Sequence, residues 1–212
     1  MEKLNCFKAY DIRGKVPSEL NPDLAYKIGR AFANHINAKK VVIGYDIRKS
    51  SLEISEALIK GLTDAGADVV NIGLCGTEMI YFSTPFLNAD GGIMITASHN
   101  PPEYNGMKFV KKDSVPVGYD SGLNVVEEMI LKNDLAEISS KKGTVEKFDV
   151  MEAFINNLSK FYDPKKIKQF KVVVNAGNGC AGLSLNAIES RLPIKMIKIF
   201  NGHLQFKHHT CF

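Results

Sequence analysis

The chain has 212 residues, 45% of them hydrophobic, 24% charged and 9% aromatic, with a formal net charge of +4. This is ordinary globular composition, with enough apolar residue to bury a core without disulfides or a structural metal, so a mainly disordered chain is excluded. No run approaches the ~20 consecutive apolar residues of a membrane span, and residues 1–14 contain no apolar signal segment. Cys6, Cys75, Cys180 and Cys211 are spread along the chain without a C-x-x-C pair, so free thiols in a reducing cytoplasm are expected. The arginines are few (Arg13, Arg30, Arg48 and Arg191) and form no basic stripe of the kind that nucleic-acid binders carry. The densest basic run, Lys160 to Lys171, reads as a solvated helix end and linker.

In chain order, residues 5–12 read as a short first strand. Asn21 caps a helix with Pro22 at its first position, where a missing N–H costs nothing. Leu24, Ile28, Ala31, Phe32 and His35 then share one face, and His35 reads there as packed or at the solvent edge rather than catalytic. Residues 40–44 form a buried-type strand. Ser50 or Ser51 caps the next helix, whose apolar face is Leu52, Ile54, Leu58 and Leu62, with Gly66 as its stop. Strands are expected at 67–72, 92–96 and 107–110. Helices are expected at 77–87, until Pro85 interferes, and at 121–132. Strands alternating with helices of this length predict an α/β domain with a largely parallel or mixed sheet.

The polar stretch 133–147 is expected to carry a domain boundary, with residues 1–143 as one domain and 144–200 as the start of a second. That second part has an expected helix at 150–161, a strand at 171–175, a glycine-rich turn, a helix at 181–191 and a strand at 195–200. Residues 201–212 lose all periodicity and read as a divergent tail. Its His203, His208, His209 and Cys211 fit no standard zinc spacing.

The chemistry gathers at strand ends. Thr96-Ala97-Ser98-His99-Asn100-Pro101 leaves an apolar strand at its C-terminal end, where open α/β sheets bind ligands. Ser98 is a candidate nucleophile with His99 beside it. The two are not read as a hydrolase pair, because sequence neighbours seldom point the same way and no G-x-S-x-G elbow is present. A plain polar turn closed by Pro101-Pro102 is the other reading. The segments 10–14 and 44–50 each hold Asp and Arg at i and i+2 after an apolar strand: Asp11 with Arg13, and Asp46 with Arg48. Arginine's planar fork suits oxyanions, while an Asp–Arg ion pair holding a loop is equally open. Asn105-Gly106-Met107-Lys108 is a turn followed by a strand, a pattern able to put Lys108 back near the Ser98 loop, while taken alone it reads as a surface lysine. Gly177-x-Gly179-x-x-Gly182 follows a strand, but the acid that a dinucleotide site needs about 20 residues on is replaced by Asn201. Nucleotide binding there is a weak alternative.

Taken together, FKAYDIRG (7–14), GYDIRKSS (44–51), GTE (76–78) and TASHNPPEYNGMK (96–108) resemble the α-D-phosphohexomutases, in the family's order, over about residues 1–200. The resemblance implies a mixed-sheet, three-layer α/β/α domain and the truncated start of a second similar domain. It implies interconversion of hexose 1-phosphate and hexose 6-phosphate (mannose and/or glucose) through a phosphoserine at Ser98, with hexose 1,6-bisphosphate as intermediate and activator. The implied catalytic residues are Ser98, Lys108, Arg13 and His99. Arg13 and Lys108 would compensate the charge of about −1.5 to −2 that a phosphoserine carries, and Lys108 would move the sugar hydroxyl proton. A lysine serves as base when a neighbouring cation such as Arg13 lowers its pKa. His99 and Asn100 would shape the loop around the phosphate, and Tyr10, Asp46 and Arg48 match positions assigned to substrate and phosphate binding.

The family also implies Mg²⁺, with phospho-Ser98 as one ligand. Its aspartate-rich metal loop, sugar-recognition loop and C-terminal phosphate loop are not found in these 212 residues, and no aspartate follows Asp163. The expectation is therefore a cytoplasmic protein with a phosphosugar substrate and no nucleic-acid or membrane partner, inactive in steady turnover as this chain. The tail after Phe200 suggests a frameshifted or truncated reading frame. A non-catalytic remnant or interaction module, using the exposed edge of the second unit, is the alternative.

Overall fold

The structure is a computed structural model that describes residues 3–135, 137–177 and 179–199. The expected tail and its histidines lie outside the described residues. The elements in chain order are β1 (Ile12–Lys15), α1 (Pro22–Ile36), β2 (Lys40–Tyr45), α2 (Ser51–Asp64), β3 (Asp68–Leu74), α3 (Thr77–Phe86) and β4 (Gly91–Ile95). There follow β5 (Tyr104–Lys111), β6 (Pro116–Val117), α4 (Leu123–Leu131), β7 (Val145–Lys147), α5 (Met151–Leu158), β8 (Lys171–Asn175), α6 (Ala181–Ile188) and β9 (Lys195–Ile199).

Local chemistry accounts for most of these limits. The Asn21 side chain accepts from the Leu24 N–H at 2.9 Å and Pro22 opens α1, which satisfies one of the orphan donors of the first turn. Ser50 occupies the cap position of α2 without a side-chain cap bond. Helix α3 continues through Pro85 to Phe86. Proline removes the hydrogen bond to the carbonyl four residues back, here that of Tyr81, and the Ser114 hydroxyl donates to that carbonyl instead. The first strand begins later than its apolar pattern predicts. Residues 8–11 form a reversal in which Lys8 N–H donates to the Asp11 carbonyl, and Arg13 N–H then donates to Cys6. Only Ile12 onwards is therefore free to pair with β5.

The main sheet has the order β1-β5-β4-β2-β3-β7, with β6 beside β5. Strands β4, β2, β3 and β7 run parallel, while β5 is antiparallel to β4, β1 and β6. Side chains alternate across the sheet. Ile43, Ile93 and Ile95 pack with Ile28, Phe32 and Leu58 of α1 and α2 on one face. Val42, Met94 and Val110 pack with Met79 and Ile80 of α3 on the other. Apolar helices on both faces make the expected three-layer α/β/α domain.

Contacts continue across residue 143, where the polar composition is expected to place the domain boundary. Strand β7 pairs parallel with β3, and Phe154 and Ile155 of α5 are buried in the α3-side core. The polarity of 139–143 has a local cause. Ser139 N–H and Gly143 N–H donate to the carbonyls of Asp64 and Thr63. The buried Asp64 carboxylate takes Lys142 at 2.7 Å, Lys60 at 2.6 Å and the Tyr26 hydroxyl at 2.9 Å. Lys142 and then Lys60 hold that carboxyl well below its ordinary range. The segment is a fastened crossover into β7 rather than a linker.

Beyond it, β8 and β9 form a parallel two-stranded sheet joined through α6. The glycine-rich turn is thus a strand-to-helix connection. Cys6, Cys75 and Cys180 are free thiols, and burial pushes Cys6 and Cys180 up to about 11 and Cys75 further. No helix among the described residues is long and apolar enough to cross a membrane.

Candidate active site at the ends of β2 and β4

The C-terminal ends of the parallel strands β2 and β4 turn outward side by side, β2 into Asp46–Ser50 and β4 into Thr96–Glu103. Ser98 lies at the tip of the second turn, exposed, as is His99. Its backbone is left-handed, with φ +54°. An L residue in that region is disfavoured by about 1–2 kcal/mol, so the surrounding structure must hold it there.

Arg48 does the holding. It is 3% exposed, and its guanidinium donates to four carbonyls of the loop. Nη1 reaches Pro101 at 2.8 Å and Tyr104 at 2.9 Å. Nη2 reaches Ser98 at 2.9 Å and Asn100 at 2.7 Å. Nε lies 3.3 Å from Asp46 Oδ2. Asp46 also accepts from Arg48 N–H at 3.0 Å, the Ser51 hydroxyl at 2.7 Å and the Thr96 hydroxyl at 2.6 Å. The Thr96 oxygen in turn accepts the Ser98 N–H at 2.8 Å. Below the loop the buried Asn105 donates to the Ser50 and Ser51 hydroxyls at 2.9 and 3.0 Å. Asp46 and Arg48 were expected among the phosphate-binding groups. In the structure the Arg48 fork is engaged with these backbone carbonyls and with Asp46, so the pair holds the loop.

Arg13 and Lys108 approach from the other side. The antiparallel registers set Arg13 opposite Gly106 and Lys108 opposite Met94. Arg13 Nη1 donates to the Ala97 carbonyl at 2.6 Å and to Asn100 Oδ1 at 2.9 Å, so it touches both flanks of Ser98. Its Nη2 meets Asp11 Oδ2 at 2.5 Å. Lys108 Nζ lies 3.5 Å from that same oxygen. Gly106 makes the approach possible: a Cβ there would sit 2.2 Å from the Ile12 carbonyl oxygen and 2.9 Å from that of Thr96.

The structure thus gathers Ser98, His99, Asn100 and Arg13 around one loop, with Lys108 linked to Arg13 through Asp11. Tyr10 is on the solvent side, 88% exposed. Both Asp-x-Arg turns contain the ion pair that was one of their two readings. Sequence reasoning missed Thr96, Ser51 and Asn105 as supports, because nothing in their spacing distinguishes them from ordinary turn residues. It also missed Asp11 as the residue shared by two cations, although its place in the first Asp-x-Arg pair was a usable signal. The expected Mg²⁺ finds no cage here. Among the described residues no group of three or more His, Cys, Asp or Glu converges to hold a metal, and the nearby carboxylates, Asp11 and Asp46, are engaged as described. These residues do not fit the ion by themselves.

Comparison with known proteins identifies the family. Residues 4–137 match the family model for phosphoglucomutase/phosphomannomutase, alpha/beta/alpha domain I. The chain is 44% identical over 207 residues to a phosphomannomutase of Escherichia coli K12, covering 95% of this chain and 45% of that protein. It is 43% identical over 198 residues to the phosphohexose mutases of Xanthomonas campestris pv. campestris strain B100, covering 93% and 44%. The crystal structure of a phosphoglucomutase/phosphomannomutase family protein from Burkholderia thailandensis aligns with a TM-score of 0.83 at 32% identity, covering 94% of this chain and 44% of that one. The chain therefore spans a little under half the length of the curated relatives it matches. With its sheet, its serine loop and its matched first domain, it belongs to the phosphoglucomutase/phosphomannomutase family.

Proposed function

We propose that these residues form the phosphoryl-carrying part of a hexose phosphate mutase acting on mannose and/or glucose phosphates. Ser98 Oγ attacks a phosphorus of hexose 1,6-bisphosphate. The Oγ–P bond forms as the bond from phosphorus to the sugar oxygen breaks, the serine proton leaves and the sugar oxygen takes one up. In the reverse direction the phosphoryl group passes to the free hydroxyl of a hexose 1- or 6-phosphate. The observation that supports this reading is the exposed Ser98, held at positive φ by a single buried arginine that binds four carbonyls of its loop. Phosphoryl transfer is governed by positioning and charge compensation more than by covalent assistance, and a loop fixed in this way supplies the first.

Arg13 and Lys108 supply the second, against the charge of about −1.5 to −2 on a phosphoserine. Lys108 is assigned the proton of the sugar hydroxyl. Asn100, fixed through its Oδ1 by Arg13, and His99 are assigned to the phosphate oxygens, and Tyr10 to the sugar side. No step is assigned to Mg²⁺, since the described residues do not complete a site for it.

The test is transfer of labelled phosphate from hexose 1,6-bisphosphate to the chain. Ser98→Ala is expected to take up no label, and label on that variant would refute the assignment. Lys108→Ala is expected to slow transfer far more than it weakens bisphosphate binding, and an unchanged rate would remove Lys108 from proton transfer.

A further inference from the structure

Asp11 is 9% exposed, and one of its oxygens, Oδ2, meets both cations of the site: Arg13 Nη2 at 2.5 Å and Lys108 Nζ at 3.5 Å. Two like charges are thereby drawn to within one carboxylate's reach of each other on adjacent strands, where their mutual repulsion would otherwise part them. The two anchors differ. Arg13 is also tied through Nη1 to Ala97 and Asn100, whereas the ion pair of Lys108 is with Asp11. Asp11 itself is fixed by the backbone, because its carbonyl accepts Lys8 N–H at 2.9 Å and the next residue enters β1 opposite Met107.

We propose that Asp11 is a positioning residue for phosphoryl transfer, holding Arg13 and Lys108 as a preset pair beside Ser98 before any phosphate arrives. This rests on the phosphoryl-carrying role of Ser98. The carboxylate makes no attack and takes no proton. It fixes where two positive charges stand, so that the incoming phosphoryl group meets them already arranged rather than ordering them itself.

The experiment is a mutant cycle on the rate of Ser98 labelling from hexose 1,6-bisphosphate. Asp11→Asn keeps the shape and removes the charge, and it is expected to slow labelling about a hundredfold, the scale on which displaced catalytic groups act. Asp11→Glu is expected to recover part of that loss. In an Arg13→Ala/Lys108→Ala background the same Asp11→Asn change is expected to alter the residual rate by less than about twofold, since residues acting through one another are non-additive. A merely structural aspartate would slow both backgrounds alike, and that result overturns the proposal, as does a less than twofold effect in the otherwise unaltered chain.

A second measurement separates this proposal from the function it rests on. Side-chain ¹⁵N NMR of the unliganded chain reads the order of the Arg13 guanidinium and Lys108 ammonium directly. Both are expected to be ordered with Asp11 and mobile in Asp11→Asn. If the unaltered chain takes no label but this contrast is present, the functional reading fails and the positioning role stands. If both groups remain ordered in Asp11→Asn, the positioning role fails whatever the labelling shows.

Discussion

Replacing Arg48 by methionine keeps most of the side-chain volume and removes the guanidinium. Four carbonyls lose their donor, and Asp46 loses its cation at 3.3 Å. A hydrogen bond to a charged group contributes about 1.5–3 kcal/mol, so four in full would rival the whole stability of a typical domain. The loop offers a cheaper escape. Ser98 and His99 are already exposed, the carbonyls can turn to water, and opening releases the about 1–2 kcal/mol held in the left-handed Ser98. Arg48→Met is therefore expected to lower global stability by only about 2 kcal/mol, or about 4–8 °C in Tm for a chain of this size. Its larger effect is local. The amides of Ser98, Asn100 and Tyr104 are bonded within the loop, to Thr96 Oγ1 and to the carbonyls of Ala97 and Pro101. Their hydrogen-exchange protection is expected to fall more than about a hundredfold, while amides of β4 such as Ile93 fall only with global stability. If loop and strand lose protection equally, or if the loop keeps it, Arg48 does not hold the loop and the account of Ser98 positioning is wrong.

Three further outcomes follow from other features. Ser98→Gly should raise the thermal midpoint and Ser98→Ala should leave it unchanged or lower it, because only glycine is at ease at φ +54°; scanning calorimetry that ranks them in reverse contradicts the strain. Gly106→Ala should part β1 from β5, its Cβ meeting the Ile12 carbonyl oxygen at 2.2 Å, with a loss of several kcal/mol in urea unfolding and loss of Ser98 labelling; a stable, active variant contradicts the close approach. Asp64→Asn should destabilise the chain at neutral pH. The folded carboxyl is held below its unfolded value of 3.8, so its contribution is present above 3.8 and fades as pH falls below it. Urea unfolding at pH 7 and pH 3 should show the gap between the chain and Asp64→Asn narrowing in acid, and a gap independent of pH removes the ion-pair clasp.

Much of the framework was legible because its signals are local. Asn21-Pro22 declares the start of α1 through its own hydrogen bond, and Val41-Val42-Ile43 can only be a strand buried on both faces. Signals that depend on distant partners were not legible. Pro85 looks like a helix stop until Ser114, 29 residues later in the sequence, takes the carbonyl it strands. The polar run 139–143 looks like a linker until Asp64 is seen to be the group it serves. The site divides in the same way. Ser98, Arg13 and Lys108 stand out by their motifs, and in the structure Arg13 touches the Ser98 loop while Lys108 meets Arg13's partner Asp11. Arg48 has the same i, i+2 aspartate as Arg13, yet one fork points into its loop and the other flanks Ser98. No one-dimensional pattern separates those two, because the difference lies in which strand end each turn leaves and what is packed beneath it.

The proposed function stands or falls on Ser98 as the residue that carries the phosphoryl group. Tandem mass spectrometry of the chain after incubation with hexose 1,6-bisphosphate tests it most directly. One phosphoryl group on Ser98 is the predicted result. A chain left unmodified, or modified at another residue, would contradict the account.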